Sequence, residues 1–429
     1  MQAPQNRRFL AHLSALGLTV ALRYYRRMKF RYPLLLCASL LLFSSPARCQ
    51  PELDLPTLLK NGSVRVETDD GTPLLRYRDN ERFVPASTLK VATSFCALEK
   101  LGAEHHFETL FFSDGKDTLF IKGSGDPSLV SETLESVATQ LVARITTINH
   151  IVIDTSLFSD DIDIDGSERS SNPYDAKNAA FVGNFSSAHL TRTKSGAIVS
   201  AEDQTPLTPL ARQAGLRLAK GKTERVNLST DWLVGVQYGG ELLAEFLKQN
   251  GARGSMRITR GAIPSSARAI YTHRSPQNLE QMLKAMLKYS TNFTANQIFL
   301  TLGVTEFGAP ATVSKGQRAM RACLEQLVGW EDFHVEEGSG LSRRNKVSTT
   351  QMNQLLSKFD RYSWLLPEQE GFIAKTGSLR GVNSLAGYFT PDGQLGRVRF
   401  SILINSEVPH LYKFKVANEL RKYLKSKAN

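Results

Sequence analysis

Ser87-Thr88-Leu89-Lys90 sets a hydroxyl and an amine three positions apart. On a helix that spacing puts both on one face, about one turn apart and within hydrogen-bonding reach. A serine hydroxyl is a weak nucleophile near neutral pH and needs an adjacent base; a lysine serves only if its pKa is depressed. The chemistry on offer is acyl transfer. Two further patterns would complete it. Ser290-Thr291-Asn292 lies where a helical pattern breaks and restarts, offering a hydroxyl to relay a proton and an amide to hold a substrate carbonyl or the base lysine. Lys375-Thr376-Gly377, followed by Ser378, ends a strand pattern. Its cation attracts a carboxylate and lowers the pKa of Lys90 by like-charge repulsion. Its threonine hydroxyl can bond that carboxylate, and its glycine lets substrate lie against the strand edge.

Each pattern alone is common. Ser-x-x-Lys recurs at Ser113-Asp114-Gly115-Lys116, Ser-x-Asn at Ser170-Ser171-Asn172, and a Lys-Ser-Gly variant at Lys194-Ser195-Gly196. Context separates the sets. Ser113 falls in a hairpin turn that cannot align a hydroxyl with an amine, and the other two decoys lie in a polar stretch without clear elements. Ser87 instead opens an apolar helix, and Lys375 ends an apolar strand.

The elements that must present these groups follow from periodicity and turn residues. A hairpin is predicted over Ser63–Glu67 and Pro73–Arg78 around Asp69-Asp70-Gly71, then a helix from Ser87 to Leu101 closed by Gly102. A second hairpin joins Thr109–Phe112 to Thr118–Ile121; after the Gly123-Ser124-Gly125-Asp126-Pro127 turn come a helix near Glu132–Ile145 and a strand at His150–Asp154. Residues 159–235 read as polar with short β-like pieces, and a helix follows at Glu241–Gln249. The last third predicts helices at Gln277–Lys288, Phe293–Leu302, Thr312–Val328, Thr349–Phe359 and Leu411–Leu424. Strands there are Gly371–Thr376, Ser384–Phe389 and Val398–Asn405, with a turn at Asp392-Gly393. Mixed helices and antiparallel strands of this kind indicate an α+β architecture.

The formal net charge of +12 in 429 residues suggests nucleic-acid binding until its distribution is considered. Residues 1–49 carry eight Lys/Arg and no acidic residue, and the remainder is only +4. No basic run interleaved with aromatics remains, so nucleic acid is excluded as a partner. Met28-Lys29-Phe30-Arg31, the apolar run Leu34–Phe43 and the small residues to Cys49 read as a signal peptide. Translation is expected to start at Met28, with a mature protein from about Gln50 that meets the membrane only during export and resides in the periplasm. Of the remaining cysteines, Cys96 and Cys323 each fall in an apolar helical pattern. The expectation is two buried thiols; a Cys96–Cys323 disulfide is the other arrangement an oxidising compartment allows. No His/Cys cluster has metal-ligand spacing, so neither metal nor organic cofactor is expected.

The three-motif set is shared by penicillin-binding proteins and class A β-lactamases. The chain resembles, more closely, the low-molecular-mass class C penicillin-binding proteins, the D-Ala-D-Ala carboxypeptidase/endopeptidase family (peptidase family S13). The likeness rests on Pro85-Ala86-Ser87-Thr88-Leu89-Lys90, Gly123–Pro127, Glu337-Gly338-Ser339-Gly340-Leu341-Ser342-Arg343, and Lys375-Thr376-Gly377-Ser378-Leu379 with the run to Tyr388. Departures are Ala295-Asn296, where the family often has Ala-Glu, and Glu337 for a more usual Asp. The 337–340 loop is read as a wall of the cleft without a catalytic part.

The resemblance implies a transpeptidase-like (serine β-lactamase-like) catalytic domain from residues 50–110 and 270–429, with an inserted β-rich accessory region at 111–269. It implies that Ser87 attacks the penultimate D-Ala carbonyl of peptidoglycan stem peptides ending in D-Ala-D-Ala, with Lys90 as base. Ser290 relays the proton, Asn292 positions the peptide, and Lys375, Thr376 and Gly377 receive the terminal D-Ala. The backbone N–H groups of Ser87 and Ser378 form the oxyanion hole. β-Lactams acylate the same serine. The rival functions are a serine β-lactamase, for which no Glu-x-x-x-Asn or Tyr-x-Asn element is found, and a catalytically silent peptidoglycan-binding scaffold, which the intact set of polar residues opposes.

Overall fold

The computed structural model describes residues 53–391 and 396–428. The leader read at residues 1–49 and the Asp392-Gly393 turn lie outside the described residues. Strands β1 (Gly62–Thr68) and β2 (Pro73–Tyr77) form the expected hairpin, and Asp70 accepts a hydrogen bond from the Thr72 N–H in its turn. The helix predicted from Ser87 begins as a 3-10 turn, Ala86–Leu89, and becomes α1 at Lys90–Leu101. The tighter start has a local reason. The Pro85 carbonyl accepts from the side chains of Thr88 (2.7 Å) and Ser384 (2.6 Å).

Beyond α1 the chain builds a separate sheet: β3 (Glu108–Ser113), β4 (Thr118–Lys122), α2 (Ser131–Val142), β5 (His150–Asp154), β6 (Ser187–Arg192), β7 (Ile198–Ser200), β8 (Lys222–Asn227), α3 (Trp232–Gln249), β9 (Arg257–Arg260) and β10 (Arg268–Arg274). The order β10-β3-β4-β5-β9 pairs β4–β5 and β5–β9 in parallel, with α2 as the β4-to-β5 crossover, while β7-β6-β8 make a small second sheet. The inserted region is rich in strands, as expected, and its core is shared between the five-stranded sheet and helices α2 and α3. Helix α3 begins nine residues before the predicted Glu241. Gly235, Gly239 and Gly240 dilute the helical pattern there, yet they let α3 approach its neighbours: a Cβ on Gly239 would sit 2.9 Å from the Gly183 nitrogen. Strands β3 and β10 span residues 110 and 270, pair with one another, and continue into a zipped neck. There Ser275 N donates to Phe107 O (2.8 Å), Leu279 N to His105 O (2.8 Å) and Glu280 N to Ala103 O (3.1 Å).

The remainder of the chain forms α4 (Leu279–Tyr289), α5 (Asn292–Phe307), α6 (Val313–Cys323), α7 (Thr349–Phe359), β11 (Glu368–Gln369), β12 (Phe372–Leu379), β13 (Val382–Phe389), β14 (Val398–Ile404) and α8 (Tyr412–Ala428). Asn278 and Ser348 make capping boxes that start α4 and α7. The six-stranded sheet runs β11-β12-β13-β14-β1-β2, so the N-terminal hairpin completes a sheet begun by the C-terminal third. Its β13 and β14 are buried at every position. One face packs on α8 through Phe414, Ala417, Leu420 and Leu424; the other meets the helical cluster of α1, α4, α5, α6 and α7. Within that cluster Cys96 of α1 and Cys323 of α6 are joined as a disulfide, their Cα atoms 5.9 Å apart. The expectation of two free thiols is corrected: both sequence patterns were apolar because both helices are buried, and the packing brings the two sulfurs together.

Candidate active site

The structure gathers Ser87, Lys90, Ser290, Asn292 and the β12 residues Lys375 to Ser378 around one cleft. The 3-10 turn puts Ser87 at its mouth and Lys90 on its floor, fully buried. Lys90 Nζ lies 3.0 Å from Ser87 Oγ, 2.8 Å from Asn292 Oδ1 and 2.7 Å from the Ser339 carbonyl. Two of these partners are carbonyl oxygens and can only accept. A neutral amine has two N–H groups and one lone pair; the carbonyls take the N–H groups and leave the lone pair for the serine hydroxyl. Burial holds the Lys90 pKa well below the ordinary lysine value, and the Lys375 charge lowers it further against the opposing pull of Glu337. Geometry and electrostatics both favour a base.

Ser290 ends α4 in the left-handed region (φ 58°) and Asn292 opens α5, so the break in the helical pattern is what turns both side chains into the cleft. Lys375, also buried, donates to Ser290 Oγ and to the Thr376 carbonyl, each at 2.9 Å. Its pKa is pushed down to about 8, by burial first and then by the Lys413 cation. Two glycines let backbone close on Ser87 and the residue before it. A Cβ on Gly377 would lie 2.9 Å from Ser87 N, and one on Gly340 (φ +83°) would lie 1.9 Å from Ala86 O. No other side chain fits at either place.

The 337–340 loop is more than a wall. The fully buried Glu337 carboxylate accepts from Ser339 N (2.8 Å), Ser339 Oγ (2.6 Å), Ser342 N (3.2 Å) and Asn345 Nδ2 (2.8 Å). That fixes the Ser339 carbonyl under Lys90. Asn296, in place of the expected acidic residue, accepts from Gly338 N at 2.8 Å and pins the same loop to α5.

The cleft holds about 650 Å³. Besides Ser87, Ser290, Asn292 and Ser378 it is lined by Arg343 and Arg380 and, from the inserted region, by Asp165, Gly166, Glu168 and Tyr174. The inserted residues were missed in the sequence because they stand in irregular chain with no periodicity to orient them. Lys413 was missed too: it is buried beneath β12 and donates to Gly377 O and Ser378 Oγ. The decoys stay apart from all this. Ser113 Oγ accepts from Gly115 N in its turn, Ser170 Oγ is bonded to Asp175, and Lys194-Ser195-Gly196 forms the turn between β6 and β7.

A serine hydroxyl beside a buried amine, with a second hydroxyl held by Lys375 in the same cleft, can support acyl transfer to and from a serine. Among the described residues no His/Cys/Asp/Glu group has metal-binding geometry. The family described as the D-Ala-D-Ala carboxypeptidase 3 (S13) family matches residues 52–223, 219–372 and 367–420. A D-alanyl-D-alanine carboxypeptidase of Actinomadura sp. (strain R39) is 25% identical over 426 residues, spanning 80% of this chain and 77% of that protein. The D-alanyl-D-alanine carboxypeptidase DacB of Haemophilus influenzae is 26% identical over 400 residues, 78% of this chain and 83% of that protein. The crystal structure of penicillin binding protein 4 from Haemophilus influenzae matches with a TM-score of 0.71 at 22% identity, over 86% of this chain and 100% of that one. That last likeness speaks for the fold.

Proposed function

The chain belongs to the D-Ala-D-Ala carboxypeptidase 3 (S13) family and is a serine-type D-Ala-D-Ala carboxypeptidase, and from that premise we propose that Ser87 is the residue its substrate and penicillin acylate. The observation that carries the assignment is the Lys90 amine, buried and held between Ser87 Oγ and two carbonyl oxygens.

Lys90 takes the Ser87 proton as Oγ bonds to the penultimate D-Ala carbonyl carbon of a peptidoglycan stem peptide. The N–H groups of Ser87 and Ser378 receive the oxyanion. On collapse the peptide C–N bond breaks, and the proton returns through Ser290 to the leaving D-alanine amine. Lys375 and Thr376 hold that residue's carboxylate by charge-assisted bonds, and the Asn292 amide positions the peptide. Water then attacks the ester and releases Ser87. With a β-lactam the same attack opens the ring, and the leaving amine stays tethered. The region from β3 to β10 is accessory and lends the cleft one wall. The sequence leader and the Cys96–Cys323 disulfide both support a periplasmic site of action, where disulfides persist.

The test is mass spectrometry after benzylpenicillin treatment. Ser87→Ala and Lys90→Ala each abolish the adduct while folding persists, and the double variant is little worse than either single, because nucleophile and base act as a unit. Ser113→Ala and Lys116→Ala leave it unchanged. An adduct that survives Ser87→Ala overturns the assignment.

A further inference from the structure

Lys413 is a costly residue where it stands. It is 1% exposed, and it lies in the first turn of α8, where the helix macrodipole disfavours a cation. Among the described residues its ammonium is held by no carboxylate; it donates to Gly377 O at 3.2 Å and Ser378 Oγ at 2.5 Å. Anchoring α8 does not require it. Asn383, paired with Ser378 across β12 and β13, accepts from the Lys413 backbone N–H (3.2 Å) and donates to the carbonyls of Pro409 (3.2 Å) and His410 (3.1 Å). Phe414, Ala417, Leu420 and Leu424 already bury the helix against the sheet.

What the amine grips is the peptide between Gly377 and Ser378. The carbonyl and N–H of one peptide belong to a single resonance system and, in the trans form, point in opposite directions. A cation on the oxygen draws charge toward it and makes the N–H at the far end a stronger donor, the same polarisation that runs along hydrogen-bond chains. We propose that Lys413 is a positioning residue for acyl transfer, which acts through the Gly377–Ser378 peptide to strengthen and aim the Ser378 N–H at the developing oxyanion. This rests on the reading of Ser87 as nucleophile and Ser378 N–H as oxyanion donor. Lys413 itself touches neither substrate nor Ser87.

Three variants and two readouts test it, with benzylpenicillin carrying a ¹³C label at the β-lactam carbonyl as probe. In Lys413→Met the acylation rate falls about tenfold, a fraction of the loss expected for removing a whole oxyanion donor. The ester carbonyl band of the acyl-enzyme, read by infrared difference spectroscopy, moves to higher wavenumber because its hydrogen bond weakens. Lys413→Arg, which keeps a cation and a donor, restores both toward the parent values. Should Lys413→Met fail to fold, Lys413→Gln is read by the same criteria. A folded Met or Gln variant with the parent's rate and band position overturns the proposal, as does a variant that loses thermal stability with no band shift. Failure of the underlying reading is distinguishable: it shows as an adduct that survives Ser87→Ala.

Discussion

Asn292 presents its amide oxygen, not its amide nitrogen, to Lys90, at 2.8 Å. A lysine only donates when charged and has one lone pair when neutral, so this contact fixes which way the amide faces. The NH₂ end is left for the cleft that Asn292 lines.

Asn292→Asp therefore replaces a neutral acceptor by an anion beside the base. An opposite charge at this range raises the Lys90 pKa. The acid limb of the kcat/KM profile moves up in pH, activity on a D-Ala-D-Ala peptide falls at least tenfold at pH 7, and part of it returns by pH 9–10. A profile superimposable on the parent's refutes this.

Lys375 and Lys413 make stability depend on pH with an unusual sign. Both are held at about 8, well below the ordinary value of 10.5, by burial. Between those limits the unfolded chain binds more protons than the folded one, so stability rises with pH from about 8 to 10.5, on the order of 2–3 kcal/mol for each group. Calorimetry should find a Tm that climbs between pH 7.5 and 9.5. The climb is smaller in Lys413→Met. A Tm that falls over that range in the parent contradicts the assignment.

Reduction of Cys96–Cys323 removes a cross-link between residues 227 positions apart. The chain-entropy limit for such a loop is about 5 kcal/mol, with measured losses more often 2–4. Thermal melts with and without reductant, repeated on Cys96→Ser/Cys323→Ser, should show Tm lowered by several degrees. Penicillin labelling at 25 °C persists, since neither sulfur reaches the cleft.

Gly340→Ala drives a methyl into the carbonyl of Ala86 next to the nucleophile. The expected loss exceeds about 2 kcal/mol, with acylation slowed at least tenfold. Gly329→Ala is the control. Its φ is also positive, at +79°, but nothing lies within 4 Å of the new Cβ, so it costs only about 1 kcal/mol and leaves acylation alone. Equal effects at the two positions would show that the clash is unimportant.

The candidate side chains that the cleft brings together were legible because each sits at an element boundary that local sequence encodes: Ser87 after Pro85, Ser290 at a helix break, Lys375 near the end of an apolar strand. What stayed hidden depends on distance in space. The Cys96–Cys323 pairing needs two helices to meet. The parallel direction of β4, β5 and β9 is silent in an apolar alternation that both orientations share. Lys413 lies in a helix with exposed lysines at 415 and 422, and no local pattern marks the one lysine that faces inward. Asp165 reaches the cleft from chain that carries no periodicity at all, bonded to Ser342.

The zipped neck between Ala103–Phe107 and Ser275–Glu280 brings together the two ends of a long intervening segment. Because the chain departs and returns side by side, residues 108–274 join the rest of the chain much as an ordinary turn would. Lengthening or shortening the segment changes the entropy of closing it at the neck only slowly. Beyond the neck the segment is also tied by Asp165 on Ser342, by the Gly125 and Ala179 carbonyls and Asn178 on Gln297 of α5, and by backbone bonds of Leu157 and Ser159 with Ala311. Those contacts, not the closure at the neck, limit how far the segment can change while Asp165 and Tyr174 still line the cleft.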